Sequence, residues 1–509
     1  MSLDSMTQDF DKAVNDLFDP VATWLSELVF YAVPVGGAEL PLIVAWLVVA
    51  GLVFTVWFGV VQFRKFKLAV ETIRGKHDES DAPGEVNHFQ AFTAAVSGTV
   101  GLGNIAGVGV AVSIGGAGAT FWMILCGLLG MATKFVEVTL GVKYREVHAD
   151  GTVSGGPMHY LPKGLAERFG RNGKIFGSVL AGLASVMILF FGLFGGNLFQ
   201  VNQSYAQLKG TTGGEDGILG SSGGALVFGL VIAALVGIVL IGGIKSIASV
   251  TSRLVPAMAI MYVLACLTVI LWNAGQVPAA IVEIFEGAFA PEGIAGGVIG
   301  ALIIGFQRAA FSNEAGLGSA PIAHSAVKTK HPASEGLVAL LEPFIDTVII
   351  CTMTALTIVI ARPESWTSAN GKEVEGVTVT SDAFGTVLPW FPNLLTVAVL
   401  LFAFSTVLTW GYYGLKAWSY LFGKSKASET IFKIIYSVFA VAGSLLSLES
   451  LISMADAFLF MLAVINIIGL YLLVPVVKRE LDSFVAHVRG DRTGAAKEPS
   501  EDTQAGTLN

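Results

Sequence analysis

Two apolar stretches of this chain contain runs of glycine and polar residues, a combination that can expose backbone groups for binding. The first run is Ser97-Gly-Thr-Val-Gly-Leu-Gly-Asn104, and the second is Gly305-Phe-Gln-Arg-Ala-Ala-Phe-Ser-Asn-Glu-Ala-Gly-Leu-Gly-Ser319. Each glycine costs about 1 kcal/mol relative to alanine in a helix, so both runs favour an unwound backbone. The broken ends of a helix present N–H groups and carbonyl groups that attract anions and cations respectively. The runs therefore predict two interrupted helices that share a binding site.

Close packing of helices through small residues is an alternative explanation. It accounts fairly well for the glycines from Gly101 to Gly107. It does not account for the polar residues of the second run, which are Gln307, Arg308, Asn313 and Glu314.

Two further apolar stretches present oxygens at helical spacing. The carbonyl of Phe402 and the hydroxyls of Ser405 and Thr406 follow an i, i+3, i+4 pattern that converges on one point and suits a small hard cation. The alternative is that each hydroxyl bonds back to a carbonyl of its own helix.

Gln200 lies on one helical face with Asn197 and Ser204, either in a pocket wall or at a solvated helix end, whereas Gln203 faces elsewhere.

The composition indicates a membrane protein. Only 13% of the 509 residues are charged and 54% are hydrophobic, whereas roughly a quarter of an average soluble chain is charged. The net charge of -8 offers no basic surface for nucleic acid. The three cysteines lie far apart in apolar stretches, so no disulfide framework or metal-binding spacing is present.

Apolar stretches of about 20 residues predict an all-α bundle of eleven transmembrane helices. Before the first lies an amphipathic segment at 1–40, with a helix on the membrane surface, and after the last lies a polar tail at 482–509, expected to be disordered and cytoplasmic. The predicted spans are 41–62, 90–112, 118–142, 175–207, 224–243, 252–273, 295–318, 338–361, 388–413, 430–448 and 451–476.

The basic residues predict the orientation of the bundle. Placing the loop at 63–89 in the cytoplasm puts 24 of the 30 Lys and Arg on that side and four on the other. The amino terminus is then extracytoplasmic and the carboxyl terminus cytoplasmic. Both glycine-rich spans begin a set of five, at 90–273 and at 295–476, and an odd number inverts the second set. The prediction is an inverted repeat preceded by one additional helix at 41–62.

Five motifs resemble the alanine or glycine:cation symporter family, and the resemblance covers roughly residues 20 to 480. The motifs are Gly115-Gly-Ala-Gly-Ala-Thr-Phe-Trp-Met123, Ser154-Gly-Gly-Pro-Met-His-Tyr160, Phe311-Ser-Asn-Glu-Ala-Gly-Leu-Gly-Ser-Ala-Pro321, Leu341-Glu-Pro-Phe-Ile-Asp-Thr347 and Trp410-Gly-Tyr-Tyr-Gly414. The resemblance implies the LeuT-type fold with its 5+5 inverted repeat. It also implies sodium-driven, sometimes proton-driven, uptake of alanine or glycine. We further expect a monomer in the inner (plasma) membrane, with no cofactor beyond the coupling ion.

The resemblance also suggests where the amino acid binds. The substrate carboxylate is expected at the backbone N–H groups of Gly101, Leu102 and Gly103, next to Thr99. Carbonyls near residues 310–312, together with the side chain of Asn313, are expected to accept from the ammonium group. Three further side chains are expected to form the pocket wall, namely Gln200, Phe311 and Trp410.

Two sodium sites follow from the same comparison. The first is expected to combine the carbonyls of Ser97, Val100 and Phe402 with the hydroxyls of Ser405 and Thr406. A possible second site uses oxygens of four residues, namely Thr99, Asn104, Asn313 and Asp346.

Charged residues inside the spans need partners. Lys134 and Glu137 are spaced to pair on one helix, although Lys134 is also close enough to the helix end to snorkel. Arg308 is expected to form a structural or gating pair with one of the acids Glu314, Glu342 and Asp346. Direct contact with the substrate is the alternative, which is less favoured because alanine and glycine carry no side-chain charge.

Other classes of protein fit less well. A channel does not require two interrupted, inverted half-sites. An enzyme is not indicated, since the chain lacks H-E-x-x-H and G-x-S-x-G motifs. The seven histidines lie near predicted cytoplasmic loops and helix ends, where we expect them to be solvated.

Overall fold

The computed structural model describes residues 3–35, 38–79, 81–290, 297–368, 376–446 and 449–493, and these residues are mainly helical. The helices up to residue 272 are α1 (Leu3–Val29), α2 (Leu42–Trp57), α3 (Val61–Arg64), α4 (Phe66–Ile73), α5 (His88–Thr99), α6 (Ala106–Gly115), α7 (Ala119–Lys143), α8 (Pro157–Leu193), α9 (Phe199–Thr211), α10 (Ser222–Ile241) and α11 (Gly243–Trp272). Those that follow are α12 (Val277–Phe289), α13 (Gly297–Asn313), α14 (Ala320–His324), α15 (Pro332–Ala339), α16 (Leu341–Pro343), α17 (Thr352–Ala361), α18 (Glu364–Thr367), α19 (Gly376–Gly385), α20 (Phe391–Phe422), α21 (Lys426–Leu445) and α22 (Glu449–Thr493).

Shorter elements connect these helices. Two antiparallel hairpins pair β1 (Ala32–Val35) with β2 (Ala38–Pro41) and β3 (Glu146–Val147) with β4 (Val153–Ser154). Turns of 3-10 helix occupy Leu102–Asn104, Gly214–Asp216 and Ala274–Gln276, and π-helical turns occupy Phe194–Leu198 and Phe344–Cys351.

Most of the predicted spans coincide with long apolar helices. Among the described residues, eight helices are long and apolar enough to cross a membrane, and the bent pair His88–Thr99 and Leu102–Gly115 adds a ninth. The two other predicted spans correspond to α2, which has 16 residues, and α13, which has 17. The count of eleven therefore remains a prediction.

The helices form one packed bundle around the two interrupted helices. In it α7 packs against α13 and α15, α8 against α20 and α22, and α5 against α11 and α20. Trp410, Tyr413 and Phe402 of α20 are among the largest fully buried side chains, so α20 lies at the centre of the bundle.

The two chain ends differ in how far they follow the expectations. The amphipathic pattern near the start corresponds to α1, whose Ala22, Leu25 and Val29 are buried where this helix packs against α22. The polar tail expected to be disordered from 482 instead begins as helix, because α22 continues to Thr493. Residues 494–509 lie outside the described part of the chain.

Candidate functional site

The first interrupted helix breaks at Val100 and Gly101. Helix α5 and the segment Leu102–Gly115 meet at 58° across this break, and Val100 has an extended backbone with φ -74° and ψ 92°. The Oδ1 atom of Asn104 accepts the N–H of Gly101 at 2.8 Å. Leu102 and Gly103 begin the following helical turn, so their N–H groups have no acceptor inside that turn. Of the three N–H groups predicted to bind a carboxylate, that of Gly101 is therefore already bonded.

The second interruption lies later in the chain than the sequence suggested. Helix α13 continues through Asn313, and the N–H of Glu314 donates to the carbonyl of Ala310 at 3.0 Å. The backbone turns at Glu314, whose φ is 54°, and Gly316 and Gly318 also have positive φ. Glycine adopts this conformation without strain, which explains the glycine spacing of the motif. The expected free carbonyl at residue 310 is therefore corrected, and the helix ends with the carbonyls of residues 311–313.

A cavity lies between the two interrupted helices. Its volume is about 190 Å³, below the roughly 300–1,000 Å³ of sites for drug-sized ligands. The first helix contributes Leu102, Gly103 and Gly107, and the second contributes Arg308 and Phe311. The other lining residues come from neighbouring helices and include Gly195, Phe199, Gln203, Gly376 and Asp456. The cavity therefore has the size and place expected for a small ligand held by two helix breaks.

Several side chains predicted to bind substrate lie outside this cavity. Trp410 packs on Gly196 and on the ring of Phe191, with centroids 4.5 Å apart, and is not among the residues that line the cavity. Asn313 donates to Thr347 Oγ1 at 3.0 Å. Thr99 is buried and its hydroxyl donates to the carbonyl of Val96 at 3.2 Å. These three residues support the breaks without lining the cavity.

The polar face of the fourth predicted span is rotated relative to the expectation. Gln203 lines the cavity, although helical spacing placed it on another face. Gln200 is buried near Gly101 and donates to the carbonyl of Gly195, five residues earlier, at 3.4 Å. The π-helical turn at Phe194–Leu198 precedes both glutamines, so it shifts them together around the helix axis relative to Asn197 and the earlier part of the span.

The residues predicted for the first sodium site lie at the contact between α5 and α20. Thr406 Oγ1 is 3.1 Å from the carbonyl oxygen of Ser97, and Ser97 Oγ donates to the carbonyl of Ser405 at 2.7 Å. The hydroxyl of Ser405 donates to the carbonyl of Phe402 at 2.9 Å, which is the alternative considered for this pair. The structure thus brings Ser97 and Thr406 together, while Ser405 is engaged within its own helix.

Gly101 closes this oxygen cluster on the cavity side. A methyl group added at Gly101 would lie 2.7 Å from Thr406 Oγ1 and 3.7 Å from Gln200 Oε1. Because only glycine leaves room there, the oxygens of Thr406 and Gln200 face the break itself. Gln200 Oε1 is buried and finds no hydrogen-bond donor among the described residues.

We expect Thr406→Val to raise the sodium concentration for half-maximal transport about tenfold. Valine keeps the shape of threonine but removes one oxygen ligand, and tenfold corresponds to about 1.4 kcal/mol. Thr409→Val is the matched control, because Thr409 lies on the same helix and donates to the carbonyl of Ala94 in α5 at 3.0 Å. Sodium activation curves of amino-acid uptake measure both variants, and identical curves would argue against Thr406 as a ligand.

Asp346 connects the two breaks. Its carboxylate accepts from Asn104 Nδ2 at 2.6 Å, from Ser312 Oγ at 2.9 Å and from Thr347 Oγ1 at 2.7 Å. Asn104 belongs to the first interrupted helix and Ser312 to the second. Of the residues predicted for a second sodium site, the structure thus joins Asn104 to Asp346, and it links Asn313 to them through Thr347.

A buried group of charges lies beside the second break. Lys134 Nζ is 3.7 Å from Glu137 Oε1 and 3.3 Å from Glu342 Oε2, and all three side chains are fully buried. Glu137 Oε2 also accepts the N–H of Gly318 at 3.0 Å and Asn466 Nδ2 at 3.1 Å. The predicted pairing of Lys134 with Glu137 is present, and Lys134 does not snorkel towards an interface.

The same group of charges continues through two histidines. His324 bonds to Glu342 through Nε2 and to Glu335 Oε1 through Nδ1, the latter at 2.5 Å. His88 bonds to the other oxygen of Glu335. His88 and His324 are buried, so the expectation that the histidines are solvated is wrong for both. The spacing of Glu335 and Glu342, seven residues apart on one helical face, was the available signal for this group.

Arg308 lines the cavity. The three acids proposed as its partners accept from other groups, since Glu342 contacts Lys134, Asp346 contacts Asn104 and Glu314 Oε2 accepts from Ser319 Oγ at 2.5 Å. Asp456 of α22, which sequence reasoning did not single out, lines the same cavity.

Comparison with known proteins identifies first the class and then the family. The solved structure of MhsT in complex with L-phenylalanine matches with a TM-score of 0.52 and 14% identity, over 75% of this chain and 88% of that one. This likeness supports the LeuT-type fold of a polytopic, all-α membrane protein. The sequence profile of the sodium:alanine symporter family matches residues 30–498. The chain belongs to this family, and it is therefore a transporter rather than an enzyme.

Curated relatives agree with this assignment. The chain is 37% identical to the sodium/alanine symporter AgcS of Methanococcus maripaludis, over 87% of this chain and 94% of the relative. It is 37% identical to the amino-acid carrier protein AlsT of Bacillus subtilis, over 83% and 85%. The probable sodium/glutamine symporter GlnT of Bacillus subtilis is 31% identical over 87% of each chain.

Proposed function

We propose that this protein carries a small neutral amino acid, alanine or glycine, across the membrane together with sodium. The main observation is the cavity of about 190 Å³ between two interrupted helices, with a cluster of oxygens directly behind Gly101. The family assignment supports sodium and alanine as the transported pair.

In this proposal each helix break binds one charged group of the zwitterion. The N–H groups of Leu102 and Gly103, at the positive end of a helical turn, bind the carboxylate. The carbonyl end of α13 near Phe311 attracts the ammonium group. Arg308 and Asp456 line the cavity with opposite charges and guide the zwitterion into it.

Sodium occupies the contact between α5 and α20 in this proposal. The carbonyl of Ser97, the carbonyl released by the extended backbone of Val100 and the hydroxyl of Thr406 provide neutral oxygens. Gln200 Oε1 is a further candidate oxygen. Only one residue of unwound backbone, Gly101, separates the ion from the substrate in this proposal. The ion and the substrate therefore each stabilise the backbone geometry that the other needs, which couples their binding.

The transporter is proposed to act as a monomer in the inner (plasma) membrane, with its amino terminus outside and its carboxyl terminus in the cytoplasm. A second cavity of about 350 Å³ shares Gln203 with the first and extends to Asp382. In the proposed orientation, the second cavity lies on the extracytoplasmic side of the first, and the substrate enters from that side.

Uptake into proteoliposomes tests the proposal. Radiolabelled alanine is supplied with a sodium gradient alone or with a proton gradient alone, and competed with Gly, L-Ala, D-Ala, Ser and Leu. We expect saturable, sodium-dependent uptake that Gly inhibits and Leu does not. Uptake driven by the proton gradient alone would instead favour the proton-coupled alternative. An ion current that ignores amino acids would indicate a channel.

We expect Gly107→Val to raise the KM for alanine about tenfold and the KM for glycine less. Gly107 lines the cavity, and no described atom lies within 4 Å of the position its Cβ would take. The added side chain therefore enters the cavity without a clash and reduces its volume. Gly182→Val is the matched control, since Gly182 also has open space around it but lies in α8 away from the cavity. Equal effects on both substrates would contradict this account of the pocket.

A further inference from the structure

Three potential metal ligands converge on the predicted cytoplasmic side, far from the cavity. Glu79, His331 and His487 each offer one ligand atom, and these atoms lie within 4.8 Å of one another. All three residues are partly buried, so the group is reachable from solvent but sheltered by its surroundings. It is the only group of this kind found among the described residues.

The three residues come from separate parts of the chain. Glu79 precedes α5, His331 directly precedes α15, and His487 lies in the last turns of α22. No helical periodicity brings them together, and their convergence is a product of tertiary structure. A solvated charged face would scatter such residues over one helix.

Contacts within the group hold its potential ligand atoms close together. Glu79 Oε2 accepts the N–H of Lys330 at 3.2 Å, whereas Oε1 lies 3.6 Å from His331 Nε2. The rings of His331 and His487 have centroids 4.4 Å apart, and Phe484 packs against His331 at 5.6 Å. One carboxylate oxygen and two imidazoles are thus held close together, with an aromatic ring behind them.

This set of ligands has a defined metal preference. Two imidazoles and one carboxylate suit Zn²⁺ and similar transition-metal ions, whereas Mg²⁺ and Ca²⁺ prefer oxygen ligands. Tetrahedral Zn²⁺ with bonds of about 2.0–2.1 Å places its ligand atoms about 3.3 Å apart. The three ligand atoms lie within 4.8 Å of one another, and rotation of their partly exposed side chains brings them to the shorter separation. Three protein ligands leave a fourth position for water, as in exchangeable rather than purely structural zinc sites.

The elements that carry the ligands are the ones that surround the first interrupted helix. The N–H groups of Glu85 and Val86 donate to the carbonyl of Ala326, and that of Lys328 donates to the carbonyl of Val86. These bonds join the segment before α5 to the segment before α15 as one layer. Arg145 strengthens the layer by donating to four carbonyls, at residues 83, 325, 327 and 329. Burial lowers the pKa of Arg145 to about 10, so it remains charged at neutral pH.

We propose that Glu79, His331 and His487 form a binding site for Zn²⁺ or a similar transition-metal ion, and that occupancy slows transport. The metal ties α22 to the layer that leads into α5. Opening of the predicted cytoplasmic side requires these elements to separate, so a bound ion stabilises the closed arrangement. The effect on transport rests on the proposed function, whereas metal binding itself does not.

Calorimetric titration of the purified full chain with ZnCl₂ tests the site. We expect one Zn²⁺ per chain, at least tenfold weaker binding in His331→Ala and in His487→Ala, and no competition by Mg²⁺. His77→Ala is the matched control, because His77 also packs against Phe484, at 6.0 Å, but belongs to no such group. Melting temperatures without metal verify that each variant is folded. Equal zinc binding by the wild type and by the double variant His331→Ala/His487→Ala would overturn the proposal.

The effect of the metal on transport is measured as alanine uptake into proteoliposomes, with Zn²⁺ or EDTA added on one side or the other. We expect Zn²⁺ on the predicted cytoplasmic side to lower alanine uptake at least threefold in the wild type and in His77→Ala, with no change in His487→Ala. Inhibition that persists in His487→Ala would contradict a role for this site in transport. A protein that binds zinc but takes up no alanine would refute the proposed function and leave the metal site intact.

Discussion

Replacing Lys134 with methionine is expected to lower the free energy of unfolding by about 3–5 kcal/mol, the usual cost of removing one partner from a buried ion pair. Lys134 is fully buried between Glu137 and Glu342. Methionine fills a similar volume but leaves two carboxylates without their cation. The nearby turn of the second interrupted helix is weakened too, because Glu137 holds it through the N–H of Gly318.

Thermal unfolding of the purified variant in detergent measures this effect. Lys143→Met is the matched control, because Lys143 lies on the same helix and pairs with Glu480 at 2.7 Å in a partly exposed position. Such surface pairs contribute about 0–1 kcal/mol. The double variant Lys134→Met/Glu137→Gln should recover part of the loss, because Glu137 pairs with Lys134 whereas Glu342 keeps its contact with His324. A Lys134→Met protein as stable as the Lys143→Met protein would show that the buried charges contribute little.

Asp346→Asn is expected to reduce the rate of amino-acid transport about a hundredfold. The carboxylate of Asp346 accepts from three side chains, two of which belong to different interrupted helices. The amide of asparagine has one oxygen and two N–H donors, so it cannot accept from all three side chains. The hydroxyls of Ser312 and Thr347 must then either turn to accept from the new amide or lose their acceptor. A buried donor without an acceptor costs about 1–3 kcal/mol, and a hundredfold corresponds to about 2.7 kcal/mol.

Initial rates of alanine uptake at saturating sodium measure this loss. Asp382→Asn is the control, because Asp382 is exposed and lines the outer cavity rather than the contact between the breaks. Melting temperatures separate a loss of transport from a loss of folded protein. Wild-type rates in a folded Asp346→Asn protein would exclude Asp346 as the link between the two helices. Restored transport in the additional presence of Asn104→Asp would support that link, since a carboxylate then faces the new amide.

Sequence patterns identified the two interrupted helices because their signal is local. Three glycines within seven residues weaken a helix wherever it lies, and polar residues in an apolar stretch indicate a cavity or a partner. The exact position of the second break was not predictable in the same way. Asn313 and Glu314 are both polar, so residue type does not show at which of them the helix ends. The positive φ of Glu314 in the structure shows that helix α13 continues to Asn313.

The wall of the cavity illustrates a different limit. The resemblance placed Gln200 in the wall, whereas Gln203 lines the cavity in the structure, and a π-helical turn at Phe194–Leu198 comes before both residues. The π-helical turn is stabilised by packing against α21 and α8. The hydropathy pattern of the segment does not contain this information and therefore does not predict the extra residue per turn. Trp410 was also expected in the wall. Its ring instead packs close to the helix backbone at Gly196, which has no side chain to prevent this.

The sequence by itself determined the membrane character, the position of most spans, the two interrupted helices and the pair Lys134–Glu137. Each of these depends on residues close together in the chain, where apolar length, glycine content and helical spacing act directly. Tertiary structure alone decided that Asp346 bonds to Ser312 as well as to the expected Asn104, that Glu342 shares Lys134 with Glu137, and that Glu79, His331 and His487 converge. These contacts connect residues up to several hundred positions apart, and no local pattern records which distant helices pack together.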